Sequence, residues 1–500
     1  MGLNSFDLAV IAAYLAGVTL FGLRFRGRQR TIRDYFLAAN TTPWWAISLS
    51  IVAAETSTLT IISIPGLAYS SDFRFLQLVL GYLAGRIIVS FLLIPQYFRG
   101  ELVTAYQLIE RRFGQRLRAL TAALFLVTRA AAEGVRVFAV AIVVRIALAG
   151  ALSSLSDFGR DLVAIALVTL VTLVYTFEGG MAAVIWTDVV QLTIYLAGTV
   201  IALFTILRLV PGGWSAAHVI ASHAGRFRVF DLSWNPTSNY TLWSGLIGGA
   251  FLTTASHGTD QLIVQRLLSA RNLRQSQLAL LSSGLAIFFQ FSLFLLVGAM
   301  LFVFYKLSPP SSPFARTDVA FPSFVVNHMP HGLSGLLISA ILAAAMSNLS
   351  AALNSLSSTT AVDFYARFRP QSTEERRVRL ARRSTVVWAV VLFALAILAR
   401  NGGRVLEMGL SIASVAYGAL LGVFLLGVLT HSATERGAIT GMIAGLALNV
   451  YIWLGTSVPF TWYVVLGSAA TFLVGLVASF NLPSRDPGRA QDRSNKPEKA

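Results

Sequence analysis

Cysteine is absent from the 500 residues, which excludes a disulfide framework and a thiolate metal site. Charge is scarce as well. Asp, Glu, Lys and Arg supply 12% of the chain, about half the share of a soluble domain. No P-loop, zinc-ligand spacing or G-x-S-x-G elbow occurs, so nothing argues for phosphoryl transfer or hydrolysis. The six histidines form no cluster at a membrane edge. The chain is therefore not expected to be an enzyme.

What fills the sequence instead is apolar. Hydrophobic residues make up 56% of it, in runs of about 20 that can each cross a bilayer as a helix. Strands of a membrane barrel would be shorter and alternating. The expected fold is all-α integral membrane, with spans at 5–23, 43–69, 74–98, 117–149, 161–177, 182–208, 241–268, 275–306, 333–365, 384–400, 405–430, 436–455 and 460–480, about thirteen transmembrane helices.

The little charge present is lopsided: 39 Lys and Arg against 22 Asp and Glu, a net +17. On alternating connections the basic residues gather on one side, at Arg24 to Arg33, Arg111 to Arg118, Arg266 to Arg274, Arg367 to Arg383 and from Arg485 onward. The positive-inside rule makes that side cytoplasmic, with the N-terminus outside and the C-terminus inside. The expected localisation is the plasma (inner) membrane, multi-pass. The basic excess reports topology first and attraction to membrane lipid second; no nucleic acid partner is expected. The first helix has no basic residue before it and an arginine run after it, so it reads as a retained span and not a cleaved signal. Residues 101–114 read as a short amphipathic interfacial helix, and 481–500 as a disordered basic cytoplasmic tail.

Two spans carry polar clusters at mid-membrane depth. "SIVAAETSTLTIISIPG" (50–66) holds Glu55, Thr56, Ser57, Thr58, Thr60 and a Pro-Gly pair; "GGAFLTTASHGTDQLIVQR" (248–266) holds Thr253, Ser256, His257 and Asp260. Either one alone is accounted for by a small-residue helix packing closely on a neighbour. They lie five spans apart, and interrupted helices at corresponding positions of two halves mark an inverted-repeat transporter. The expected organisation is a single transporter domain over 1–480: a leading helix 5–23, a first repeat 43–208, a second repeat 241–430 and two trailing helices within 436–480. That is a five-plus-five core. Backbone groups freed at the breaks need partners in protein, ions or water, so the breaks belong around a cavity.

A third segment, "ISAILAAAMSNLSAALNSLSSTTAVDFY" (338–365), places Ser347, Ser350, Asn354 and Ser358 on one helix face. Such a stripe is commonly glue between helices. Set against an unwound helix, it offers neutral oxygens to a small hard cation. In the fourth span Arg129, Glu133 and Arg136 share a face, and intramembrane charges default to functional sites. One positive charge is left over there, which a carboxylate solute would balance. A structural lock between Arg129 or Arg136 and Glu55 or Asp260 is the alternative. Glu55 costs about 2.5–3.5 kcal/mol at the bilayer centre if charged and unpaired, so it is expected to be protonated, paired or facing the cation path.

Together with "DYFLAANTTPWWAISLSIVAAETSTLTIISIPGLAY" (34–69), "YTFEGGMAAVIWTDVVQ" (175–191) and "TDQLIVQRLLSARN" (259–272), these features resemble the sodium:solute symporter family, the sodium–glucose and sodium–proline carriers, over residues 5–480. The resemblance implies a LeuT-type fold, alternating access and Na⁺-coupled uptake. It places the coupling Na⁺ on the backbone carbonyls of Ala53, Thr56 and Ala344 and the side chains of Ser347 and Asn348. The family usually has Ser or Thr where Asn348 stands; Asn offers a carbonyl oxygen on a longer arm. A second cation position of some members would fall near Asp188, Ser347 and Ser350, but its next hydroxyl is Ala351 here. Asp188 as a helix N-cap remains equally open. Ser57, Thr60, Ser256 and His257 match solute positions, and the sugar carriers' aromatic gate is unmatched, which argues against a hexose. The function expected is a cation-coupled secondary active symporter, Na⁺ first, importing a small organic solute and working as a monomer. The alternatives are an H⁺-coupled symporter using Glu55, or a non-transporting solute receptor of the same fold, which would need an output domain.

Overall fold

The computed structural model describes residues 3–23, 41–99, 105–175, 181–365, 369 and 371–481. The basic run 24–33, residues 101–104 and the tail after 481 lie outside the described residues, as do the side chains of Ser347, Asn354 and Ser358. The described chain is helical with one isolated bridge, Thr42 to Ala270.

In chain order the helices are α1 (Ser5–Leu23), α2 (Trp44–Glu55), α3 (Thr58–Ser70), α4 (Phe75–Phe98), α5 (Ala105–Phe113), α6 (Gln115–Ala147), α7 (Asp157–Tyr175), α8 (Met181–Leu209) and α9 (Gly213–His223). They continue with α10 (Gly249–Gly258), α11 (Gln261–Leu268), α12 (Leu273–Leu307), α13 (Ala320–His328), α14 (Leu333–Thr359), α15 (Glu374–Ala399), α16 (Val405–Leu429), α17 (Glu435–Gly455) and α18 (Tyr463–Asn481). Each of the thirteen expected spans is occupied by a helix or by a helix pair. Among the described residues, however, eight are long and apolar enough to cross a membrane by themselves, or nine when α2 and α3 count as one bent span. For two of the four other expected spans the cause is physical. α6 carries Arg129, Glu133 and Arg136 in its middle, and α10 and α11 are each too short after their break.

The two breaks have the same construction. At the first, the Val52 carbonyl accepts both the backbone N–H of Thr56 (2.9 Å) and its hydroxyl (2.7 Å). Ser57 is extended (φ −78°, ψ 169°), and its carbonyl restarts the helix by accepting from Ile61 N–H. α2 and α3 meet there at a bend of 66°. At the second, the Ala255 carbonyl accepts both the N–H (2.9 Å) and the hydroxyl (2.8 Å) of Thr259. Asp260 is extended (φ −81°, ψ 125°) and caps α11 by accepting from Leu262 N–H. A threonine that doubles its bond to the i−4 carbonyl, followed by one extended residue, ends each helix and starts the next.

These broken helices are held centrally. α2 and α3 pack on α12, α2 also on α8, and α10 on α4; α14 lies among α1, α6 and α8. Close approach depends on absent side chains. A Cβ on Gly66 would meet the Thr317 carbonyl oxygen at 2.6 Å, and one on Gly249 would meet the Leu78 carbonyl oxygen at 2.5 Å. The Pro65-Gly66 pair therefore lets α3 pass against the turn before α13. α5 buries Ala105, Ile109 and Phe113, one stripe of an otherwise polar segment, as its pattern predicts.

Candidate functional site

The breaks lie against one cavity of about 190 Å³. Glu55, Ser57 and Thr60 line it from the first break, and Ser256, His257 and Asp260 from the second. Arg129 and Arg136 of α6, Arg266 of α11, Asn348 and Ala351 of α14 and Tyr417 of α16 also line it. Phe75, Tyr82 and Phe291 give it an aromatic lining, with Phe291 5.3 Å from Phe75 and 6.3 Å from Tyr82 between ring centroids.

The expected pairings change in detail. Glu55 is paired with neither Arg129 nor Arg136. Its Oε2 takes the Arg86 guanidinium, which is 1% exposed and also bonds Ser283 Oγ at 3.2 Å. Arg86 lies 3.3 Å from His257 Nε2, and His257 Nδ1 lies 2.9 Å from Ser256 Oγ. His257 Nε2 also lies 3.6 Å from Glu55 Oε2, so the imidazole is within reach of both members of the pair. Arg86 was legible: it is the lone charge in the apolar run of α4, so the rule applied to Arg129 identifies it equally.

Glu133 does not line the main cavity. Its Oε1 accepts from Arg136 at 2.6 Å and lies 2.9 Å from Arg129 in an ion pair. Its Oε2 has no partner and faces a void of about 10 Å³, one water's worth, beside Ser57 and Asn348. Arg129 Nε is also buried without a partner. Asp260 Oδ2 accepts from the Tyr417 hydroxyl at 2.9 Å.

Asp188 lies inside α8, beyond its first turn, so it is not the N-cap. Its Oδ2 accepts from Ser50 Oγ at 2.6 Å and from Arg266 at 3.0 Å, both partners that the sequence reading left unassigned. Ser350 is half-buried on α14. Near the expected ion site, Gln290 donates to Thr56 Oγ1 at 2.5 Å. The Thr58 hydroxyl donates to the Ile341 carbonyl at 3.3 Å, tying the start of α3 to α14 one turn before Ala344. Ala53, Thr56 and Ala344 are buried and Asn348 half-buried. The Ser347 side chain lies outside the described residues.

Two interrupted helices of like construction, a polar helix alongside and a charged cavity between them define an inverted-repeat secondary transporter. The chain belongs to the sodium:solute symporter family, whose model matches residues 35–445. It is similar to the sodium/sialic acid symporter of Proteus mirabilis, with 29% identity over 95% of this chain and 94% of that protein. It is also similar to the human sodium/iodide cotransporter, with 28% identity over 97% of this chain and 77% of that one. A solved substrate-bound, outward-open Na⁺-coupled sialic acid symporter superposes with a TM-score of 0.81 at 28% identity, covering 96% of this chain and 98% of that one. A nucleobase-cation symporter shares the fold at a TM-score of 0.56 and 15% identity. The protein is thus a multi-pass, LeuT-type membrane transporter and not an enzyme. It couples Na⁺ to the movement of a small organic solute.

Proposed function

We propose that the protein imports a small organic acid or acid-bearing solute through the cavity between the two breaks. The single supporting observation is that both breaks line one cavity together with Arg129 and Arg136. At about 190 Å³ that space is smaller than the roughly 300–1,000 Å³ of drug-sized pockets. Ser57, Thr60, Ser256 and His257 contact the solute, and Arg129 receives its carboxylate. Glu133 sets Arg129 in place.

The Na⁺ site uses the carbonyls of Ala53, Thr56 and Ala344 with the Ser347 hydroxyl and the Asn348 amide oxygen. All are neutral oxygens, suited to a hard monovalent ion. Asp188 is already satisfied by Ser50 and Arg266, and Ala351 offers no hydroxyl, so a single Na⁺ is transported. Glu55 is likewise matched by Arg86, which disfavours H⁺ coupling through it. The repeats run 43–208 and 241–430, with the N-terminus outside and the basic side in the cytoplasm of a plasma (inner) membrane. Phe204, Leu285 and Phe289, exposed on the helix bundle, face lipid. One chain holds both breaks and the polar helix, so a monomer suffices.

Uptake of labelled pyruvate and a labelled amino acid into proteoliposomes, with external Na⁺ replaced by K⁺ or choline, tests this reading. Accumulation is expected only with Na⁺. Equal accumulation with all three cations would refute the assigned coupling.

A further inference from the structure

Asp260 and two arginines of α6, Arg129 and Arg136, line the same cavity. Around it Arg86, Arg129, Arg136 and Arg266 are matched in number by Glu55, Glu133, Asp188 and Asp260. Two of the pairs close on themselves, Arg86 with Glu55 and Arg266 with Asp188. The remainder do not. Glu133 serves both Arg129 and Arg136 through one oxygen, which leaves one positive charge over, and Arg129 Nε is buried without a partner. Asp260 is held only by neutral donors, the Tyr417 hydroxyl and the Leu262 N–H, each at 2.9 Å. Among the described residues it forms no ion pair. Among the described residues no ion pair joins the surplus positive charge to Asp260, although both line the cavity.

A net anion placed there sits beside Asp260, and a net cation sits beside the arginines; both are penalised in a low-dielectric interior. A solute carrying both charges satisfies Asp260 and the arginines together. We propose that the cavity selects a zwitterion, its carboxylate on Arg129 and Arg136 and its protonated amine on Asp260. This rests on the symport reading above and narrows its solute from an acid to an amino acid-like dipole. It also removes a difficulty of the single-Na⁺ site. One Na⁺ moving with a zwitterion carries one net charge inward. A potential of about 100 mV then contributes roughly fiftyfold to accumulation, on top of the concentration gradient. With a monoanion that contribution vanishes.

The test uses the purified full chain in NaCl and in KCl, with thermal-shift titration of the common amino acids, a sialic acid and pyruvate. Every amino acid that binds is followed by its deaminated acid and its decarboxylated amine. At least one amino acid is expected to bind in Na⁺, with both analogues about tenfold or more weaker. Asp260→Asn keeps an N-cap acceptor for Leu262; it is expected to weaken the amino acid about tenfold and to turn the preference toward the deaminated acid. The proposal is overturned if no amino acid binds, if a deaminated acid binds as tightly as its parent, or if Asp260→Asn leaves the ranking unchanged. Na⁺-dependent binding of acids alone would overturn the zwitterion and leave the symport reading standing. Solute binding indifferent to Na⁺ would overturn the symport reading itself.

Discussion

Arg86 and Glu55 form an ion pair across the first helix break, with the guanidinium also 3.3 Å from His257 Nε2. One charge comes from the middle of α4 and the other from the last residue of α2, so the pair bolts the end of the broken helix to its neighbour. It also brings His257, from the second broken helix, into the same cluster.

Removing Glu55 leaves Arg86 charged and buried, and removing Arg86 leaves Glu55 charged and half-buried at the cavity wall. Arg86→Gln is expected to destabilise the protein by about 3 kcal/mol, and Glu55→Gln by a similar amount. The double variant Glu55→Gln/Arg86→Gln is expected to recover much of the loss, because no lone charge remains. Thermal inactivation midpoints in detergent check this. A single Arg86→Gln variant as robust as the parent would show that the pair is not structural.

The ion site yields a second prediction. Ligands that bind only the folded state raise its stability by mass action, so NaCl is expected to raise the inactivation midpoint of the parent above that in KCl. Ser347→Ala is expected to erase that difference, and Asn348→Ala to reduce it. Asn348→Ser restores the shorter hydroxyl arm and should keep the Na⁺ effect. If Na⁺ stabilises Ser347→Ala as well as the parent, the assigned ligands are wrong.

Much of this arrangement is legible in the sequence. The breaks at Thr56–Ser57 and Thr259–Asp260 fall within the two polar stretches, where hydroxyls and an acid recur at corresponding places five spans apart and freed backbone groups need partners. The pairing of the charges is less legible. Spacing along α6 couples Arg129 and Arg136 to Glu133, since all three share a face. It says nothing of Arg86 or Arg266, which reach Glu55 and Asp188 from helices far away in sequence. Asp188 looked like a cap because "TDVVQ" resembles a helix start, whereas α8 begins earlier. Such partners are set by tertiary packing, which a periodicity cannot report.

Close packing at glycine supplies a third prediction. Gly66→Val would drive a side chain into the Thr317 backbone, where even a bare Cβ comes within 2.6 Å of the carbonyl oxygen. Overpacking of this kind costs about 1–3 kcal/mol, and here the neighbour is backbone that cannot swing aside. The expected result is a lower inactivation midpoint and slower uptake. Gly17→Ala, where a Cβ meets nothing within 4 Å, is the control and is expected to behave as the parent. Equal behaviour of both variants would mean that α3 is free to shift.

Arg129 offers the sharpest test of the solute site. Its side chain is 9% exposed and lines the cavity; one nitrogen lies 2.9 Å from Glu133 Oε1 in an ion pair, and its Nε has no partner. Arg129→Gln leaves Glu133 paired with Arg136 at 2.6 Å, so the helix keeps a matched carboxylate and the fold should persist. What disappears is a charge-assisted donor set for a solute carboxylate, a loss of about 1.5–3 kcal/mol, or roughly 10- to 150-fold in affinity. Any carboxylate-bearing solute is expected to weaken by that factor, while its amide, which presents no anion to Arg129, changes far less. Arg129→Lys keeps the charge but not the planar fork, so its affinity should fall between the two. If the acid and its amide lose affinity equally in Arg129→Gln, then Arg129 acts on the shape of the cavity and not on the charge of its occupant.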